Sequence, residues 1–259
     1  MTLDGQIVAI TGGSRGIGRA IALRIARDRP KHIVIGYASN YTAARETVFA
    51  IKELGVPASM VCVDVGREDL LRSLFDLVRD EFQRLDVFIS NAARTTFRPT
   101  MALNSRNWQK VMDINARAFM LGSQMAAELM RENGGGRIIG ISSLGSRFYI
   151  PEYASLGAAK AVIETLARYL AVELAPWNVN VNVVSGGFVN TETMRRAPNF
   201  DELVRHVVSR TPAGRVATPE DLAGIVAFLC SPESDWIRGQ TLIADGGYSL
   251  VLSPLERRS

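Results

Sequence analysis

One feature constrains this chain above the others: short apolar runs alternate with stretches of helical periodicity from one end to the other. The runs are Ile7 to Ile10, Ile33 to Ile35, Met60 to Val63, Val87 to Ser90, Arg137 to Ile141, Val179 to Val184 and Thr241 to Ala244. Strands this apolar are buried on both faces, and strands that alternate with helices build βαβ units. Helical patterns fill the intervals: from the glycines after the first run through Arg27, then Thr42 to Leu54, Glu68 to Phe82, Trp108 to Arg131, Pro151 to Leu174, Asp201 to Ser209 and Pro219 to Leu229. The expectation is an α/β fold, a doubly wound parallel sheet of about seven strands with helices on both faces. No repeat, low-complexity tract or linker divides residues 1–259, so a single domain is expected.

The first strand runs directly into Thr11-Gly12-Gly13-Ser14-Arg15-Gly16-Ile17-Gly18, which opens the first helix. Glycines let the backbone approach a pyrophosphate, and a helix N-terminus offers amide donors and positive potential. Gly12, Ser14, Arg15, Ile17 and Gly18 are therefore candidate cofactor-binding residues, although glycines at 12, 16 and 18 depart from the spacing G-x-G-x-x-G. A cofactor with a free ribose 2′-hydroxyl commonly meets an acid about twenty residues later. Here no acid lies between Asp28 and Glu46. Ser39 and Asn40 stand there instead, with Arg15 as a phosphate partner, which predicts NADPH over NADH. At later strand ends, Asp64 and Val65 would meet the adenine, Asn91 and Ala92 would line the cofactor, and Gly187 and Val189 would close the site. A plainer reading stays open for two of them: Asp64 caps its own turn and Asn91 holds the local backbone.

The chemistry concentrates between Ile141 and Lys160, at the carboxyl end of a strand, where open α/β sheets place their active sites. Ser143, Tyr153 and Lys160 are the candidate catalytic groups. Tyr153 and Lys160 are seven apart and share a face if both are helical. A nearby ammonium would favour the phenolate and ease proton exchange; alternatively Tyr153 only packs and Lys160 is solvated. Asn115, in the middle of a helical stretch, is a poor interior helix former that disturbs the hydrogen-bond ladder, and it joins the candidates through a proton path. Residues 191–215 break the sheet rhythm and read as a substrate lid. Their arginines, Arg195, Arg196, Arg205, Arg210 and Arg215, either attract a phosphopantetheine group or an acidic carrier, or are simply solvated.

Composition narrows the function classes. A net charge of +4 is a mild bias that suits an anionic cofactor, and no basic helix or aromatic-basic motif points to nucleic acid. Cys62 and Cys230 lie in separate apolar runs and read as buried free thiols; with His32 and His206 as the only histidines, no metal is expected. No apolar stretch is long enough to cross a bilayer and no signal-type segment precedes the first strand, which predicts a cytoplasmic protein with no membrane partner.

Together, Thr11 to Gly18, Asp64, Asn91-Ala92, Asn115, Ser143, Lys160 and the closing Arg238-Gly239-Gln240-Thr241 to Asp245-Gly246-Gly247 resemble the short-chain dehydrogenase/reductase superfamily over nearly the whole chain. The resemblance implies a Rossmann-like fold. In most of that superfamily the catalytic tyrosine lies four residues before the lysine, where this chain has Leu156. Tyr153, seven before Lys160, is similar instead to the enoyl-acyl carrier protein reductases. Ser142 to Ser146, Val184 to Gly187 and Thr211 to Arg215 are most similar to enoyl reductase type III. The resemblance implies an NADPH-dependent reductase of an enoyl thioester carried on acyl carrier protein or coenzyme A, with Lys160 on the nicotinamide ribose, and a homotetramer packed through the Trp108 and Tyr153 helices. Two alternatives accompany it: a ketoreductase of a 3-ketoacyl thioester or a secondary-metabolite ketone, and a catalytically silent NADPH-binding protein.

Overall fold

The computed structural model describes residues 3–195 and 200–251; Arg196 and the polar tail after Leu252 fall outside them. Apolar runs with no water-facing side need cover on both faces, and that requirement organises the molecule. The seven strands are Ile7–Thr11 (β1), His32–Tyr37 (β2), Ala58–Cys62 (β3), Val87–Ser90 (β4), Gly136–Ser143 (β5), Val179–Gly186 (β6) and Thr241–Ala244 (β7). They form one sheet in the order β3-β2-β1-β4-β5-β6-β7, with every pair parallel. β1, β4 and β6 are buried at every position, whereas β3 and β7 at the two edges are partly exposed.

The helices are Gly16–Ala26 (α1), Tyr41–Glu53 (α2), Glu68–Phe82 (α3), Ser105–Met112 (α4), Ala118–Glu132 (α5), Ala154–Glu173 (α6), Glu192–Arg195 (α7), Phe200–Arg210 (α8) and Pro219–Leu229 (α9). Two apolar cores follow from the doubly wound connections. On one face α3, α5 and α6 bury Leu74, Phe75, Phe119 and Ile163 against Phe88 and Val181. On the other, α1, α2 and α9 bury Ile21, Ile25, Ala44 and Val226 against Val8, Ile10 and Ile33. Phe75 meets Phe88 edge-on, centroids 5.2 Å apart; each ring of this kind contributes roughly 1.5–3 kcal/mol by leaving water.

The stretch read as one helix from Trp108 to Arg131 is α4 and α5 joined by a π-helical turn, Asp113–Arg117. Asn115 sits inside that turn. Amides in a π turn bond five residues back rather than four, and Asn115 Nδ2 donates to the Val111 carbonyl at 2.8 Å. The disturbance expected of an interior asparagine is therefore present. Between β1 and β4 the connections leave in opposite directions, so a crevice opens beyond the carboxyl ends of these strands, the usual ligand site of such sheets.

Candidate active site

The glycine turn leaves β1 at that crevice. Gly12 has φ +66°, and a Cβ on Gly18 would lie 2.2 Å from the Gly12 carbonyl oxygen, so the turn and the first turn of α1 close only around glycine. Asn91, at the end of β4, ties this turn in place: its Nδ2 donates to the Thr11 carbonyl at 3.1 Å and the Gly12 carbonyl at 2.9 Å. Thr11 Oγ1 in return accepts the amides of Asn91 and Ala92 at 3.1 and 3.2 Å. The backbone-holding reading of Asn91 is what the geometry shows. Thr11, which sequence reasoning did not single out, is its counterpart, and its only signal was the place directly before Gly12.

α1 starts at Gly16 after Arg15, whose side chain does not cap it, and among the described residues no side chain takes up the first amides of the helix. Such amides are what a pyrophosphate requires. Arg15 is exposed beside them, Ser14 and Gly18 are buried, and Ile17 lies partly buried against the core. Thr47 of α2 donates to the Ser14 carbonyl at 3.0 Å and braces the turn from behind. At the end of β2, Ser39 and Asn40 are exposed; Asn40 Oδ1 is engaged as the cap of α2, accepting from the Ala43 amide at 3.0 Å. Asp64 Oδ1 accepts from the Gly66 amide at 3.0 Å, the turn-capping role, while its neighbour Val65 is buried. The Gly187 amide donates to the Ala244 carbonyl at 3.1 Å, and Val189 is buried where it bridges to Ala217.

Tyr153 and Lys160 do not share a helical face. Glu152 is left-handed at φ +59° and Tyr153 has φ −106° and ψ 2°, so Tyr153 is the residue before α6 rather than part of it. Its Oη donates to Ser143 Oγ at 3.2 Å. Lys160, buried, turns toward β5 and donates to the Ile141 carbonyl at 2.8 Å. The expected activation of the phenol by the ammonium is therefore corrected: burial raises the Tyr153 pKa, against a smaller lowering by the Ser143 hydrogen bond. Burial alone lowers the Lys160 ammonium to about 8. Burial thus favours the neutral phenol.

Ser143 Oγ also accepts the Gly145 amide at 3.4 Å. With both lone pairs used, its single proton is free to donate. Asn115 Nδ2 donates to the Arg94 carbonyl at 2.8 Å, and its Oδ1 is buried without a partner among the described residues. Leu156, in the place where the wider superfamily has its tyrosine, is buried with Val111, Ala116 and Ala159 and has no proton to give. Phe97, another residue sequence reasoning passed over, lays its ring against that of Tyr153, centroids 6.1 Å apart. Its only signal was its position on the loop after β4. A groove of about 420 Å³ opens beside Tyr153, walled by Pro99, Phe148, Ile150, Pro151 and Ala158, and Tyr149 stands 89% exposed at its edge.

The arginines of residues 191–215 divide. Arg195 donates to Asn190 Oδ1 at 2.8 Å, and Arg210 donates to the Val251 carbonyl and lies over Tyr248. Arg215 grips Asp221 at 2.6 and 2.7 Å, which holds that carboxyl down to about 2 and anchors the start of α9. These three serve the fold. Arg205 is exposed on α8. Among the described residues no group of three or more His, Cys, Asp or Glu side chains is placed to hold a metal, and no helix is long and apolar enough to cross a membrane. Cys230 is buried as expected, but Cys62 is exposed, because it ends the edge strand β3.

A family model described as enoyl-(acyl carrier protein) reductase matches residues 12–249. The 1-cyclohexenylcarbonyl-CoA reductase of Streptomyces collinus is 40% identical over 251 residues, covering 96% of this chain and 89% of the relative. A short-chain type dehydrogenase/reductase of Picea abies is 36% identical over 95% of this chain and 93% of its own length. Among solved structures, a 7α-hydroxysteroid dehydrogenase complexed with NADH and 7-oxo glycochenodeoxycholic acid superposes with a TM-score of 0.91 at 30% identity, covering 95% of each chain.

Proposed function

The chain belongs to the short-chain dehydrogenase/reductase superfamily, and within it we propose an NADPH-dependent reductase of the C2–C3 double bond of an enoyl thioester. The observation that carries the reading is the position of Tyr153: it stands before α6 with its hydroxyl on Ser143, while the usual tyrosine position holds a buried leucine. In ketone reduction the donor must sit beside the oxygen of the carbon that is reduced. In enoyl reduction the charge collects on a carbonyl oxygen three bonds from Cβ, a few Å further at bond lengths of roughly 1.2–1.5 Å. A tyrosine displaced toward the helix entrance follows that oxygen.

The residues present fit a dinucleotide: a glycine turn, open first amides on α1 and no acid after β2 to repel a 2′-phosphate. When bound, NADPH supplies the hydride to Cβ. The electron pair of the double bond then moves onto the thioester oxygen. On binding, the single Tyr153 Oη proton turns from Ser143 Oγ to that oxygen, where Ser143 also donates its own, and donors held in position stabilise the charge. Lys160 holds the nicotinamide ribose, and Asn115 Oδ1 accepts from a proton-carrying water. Protonation at Cα completes the saturated thioester. The carrier is coenzyme A or acyl carrier protein; the Streptomyces collinus relative is named for a coenzyme A thioester. Half-exposed Trp108 on α4, and Tyr169 and Val172 on α6, suit a homotetramer formed through these helices.

The test is loss of reduced-nicotinamide absorbance with crotonyl, 1-cyclohexenylcarbonyl and acetoacetyl thioesters, on wild type and Tyr153→Phe. Turnover of an enoyl thioester that falls about a hundredfold or more in Tyr153→Phe is expected. Turnover of acetoacetyl thioester alone would make the protein a ketoreductase, and turnover indifferent to Tyr153→Phe would remove the assigned donor.

A further inference from the structure

α6 returns two buried charged side chains to the end of β5. Lys160 meets the Ile141 carbonyl. One turn later Glu164, 5% exposed, places its carboxylate inside residues 142–147. Oε1 accepts from Ser142 Oγ at 2.7 Å and from Ser146 Oγ at 2.6 Å, and Oε2 faces Arg147 Nε at 3.2 Å. These three donors bracket Ser143, the residue that receives the Tyr153 hydroxyl.

A buried carboxylate is costly to keep, and an apolar side chain of the same volume commonly serves stability as well or better. The groups Glu164 engages explain its presence. Each serine hydroxyl carries one proton. Glu164 takes the Ser142 proton, and the Ser146 proton lies between Glu164 and the Ser143 carbonyl, 2.8 Å from Ser146 Oγ, so that Ser143 alone among the three keeps an uncommitted proton. By holding the segment on both sides of Ser143, it also sets the direction from which Ser143 Oγ meets Tyr153. We propose that Glu164 is a positioning residue for the reaction, fixing the 142–147 segment and through it the Ser143–Tyr153 pair. This rests on the reading of Tyr153 as the proton donor.

Three variants test it, each followed by kcat, NADPH affinity and amide hydrogen exchange of residues 142–148. Glu164→Met fills the space but accepts nothing; Glu164→Gln keeps an accepting oxygen for the two serines. Ser142→Ala combined with Ser146→Ala leaves Glu164 in place and removes its donors. Misplacement of reacting groups by about 1 Å costs on the order of a hundredfold. The expected result is a kcat reduced about tenfold to a hundredfold in Glu164→Met and in the double serine variant, with NADPH affinity unchanged and exchange of 142–148 accelerated. Glu164→Gln stays within a few-fold of wild type. Wild-type kcat in either of the first two variants, or a kcat that falls only in step with NADPH affinity, would overturn the proposal. Turnover is measured on whichever thioester wild type accepts, enoyl or 3-ketoacyl, so failure of the enoyl reading leaves this test intact. If wild type accepts neither, exchange decides: unchanged protection of 142–148 in both of those variants overturns it.

Discussion

Among the described residues, the only hydrogen-bond partner of the Lys160 ammonium is the Ile141 carbonyl, and burial lowers its pKa from 10.5 to about 8. A shift of that size corresponds to a stability cost on the order of 3 kcal/mol. Its sign is set by proton linkage. Below pH 8 the lysine is charged in folded and unfolded chains alike and the full cost is present; between about 8 and 10.5 only the unfolded chain still holds the proton, and the cost disappears as pH rises. Lys160→Met in the cofactor-free protein is therefore expected to melt a few degrees higher than wild type at pH 7. The gap should narrow above pH 8 in thermal scans, and a gap independent of pH would mean that the lysine keeps its ordinary pKa where it lies. The sequence brought Tyr153, Lys160 and Ser143 forward as candidates, but their mutual geometry was not legible in it. A spacing of seven says that two residues share a face only if both are helical, and Glu152 in a left-handed conformation keeps Tyr153 out of α6.

Glu68–Phe82, Pro219–Leu229, Val87–Ser90 and Thr241–Ala244 lie where their patterns placed them. β3 was read as Met60 to Val63 but runs Ala58–Cys62; at the sheet edge, its partly exposed side chains blur the apolar run. The turn between β5 and α6 was invisible, because its shape depends on packing against Tyr153. A Cβ on Gly145 would lie 2.4 Å from Tyr153 Cδ1. Gly145→Ala must therefore push the tyrosine ring aside, while the glycine turn at Gly12 is untouched. The expected outcome is a kcat reduced at least about tenfold with NADPH affinity unchanged, read by steady-state kinetics and cofactor titration. An unchanged kcat would mean that the ring has room to move without consequence.

At the scale of the whole molecule, the candidate cofactor residues come from the ends of β1, β2, β3, β4 and β6, so one ligand would span most of the sheet. A ligand at a hundred times its dissociation constant stabilises by about 2.7 kcal/mol. NADPH at that level is expected to raise the melting temperature by roughly 5–10 °C, and NADH at the same concentration by less, since no acid follows β2 to bind a free 2′-hydroxyl. The reverse order of the two cofactors in a thermal-shift titration would overturn the NADPH assignment. The class of fold was legible from the alternation of strands and helices, whereas strand order was not, because periodicity records which faces are buried and not which neighbours bury them.

The bonds between Thr11 and Asn91 join residues about eighty positions apart. The glycine turn looks like a local motif, yet its shape depends on a strand end made much later. During synthesis on the ribosome, the first strand and its glycines emerge long before β4 can dock beside them. A nascent chain therefore has no finished cradle to offer a dinucleotide until Asn91 has left the exit tunnel, and the cofactor cannot template the earliest stage of folding. It can only trap a half-sheet that has already assembled.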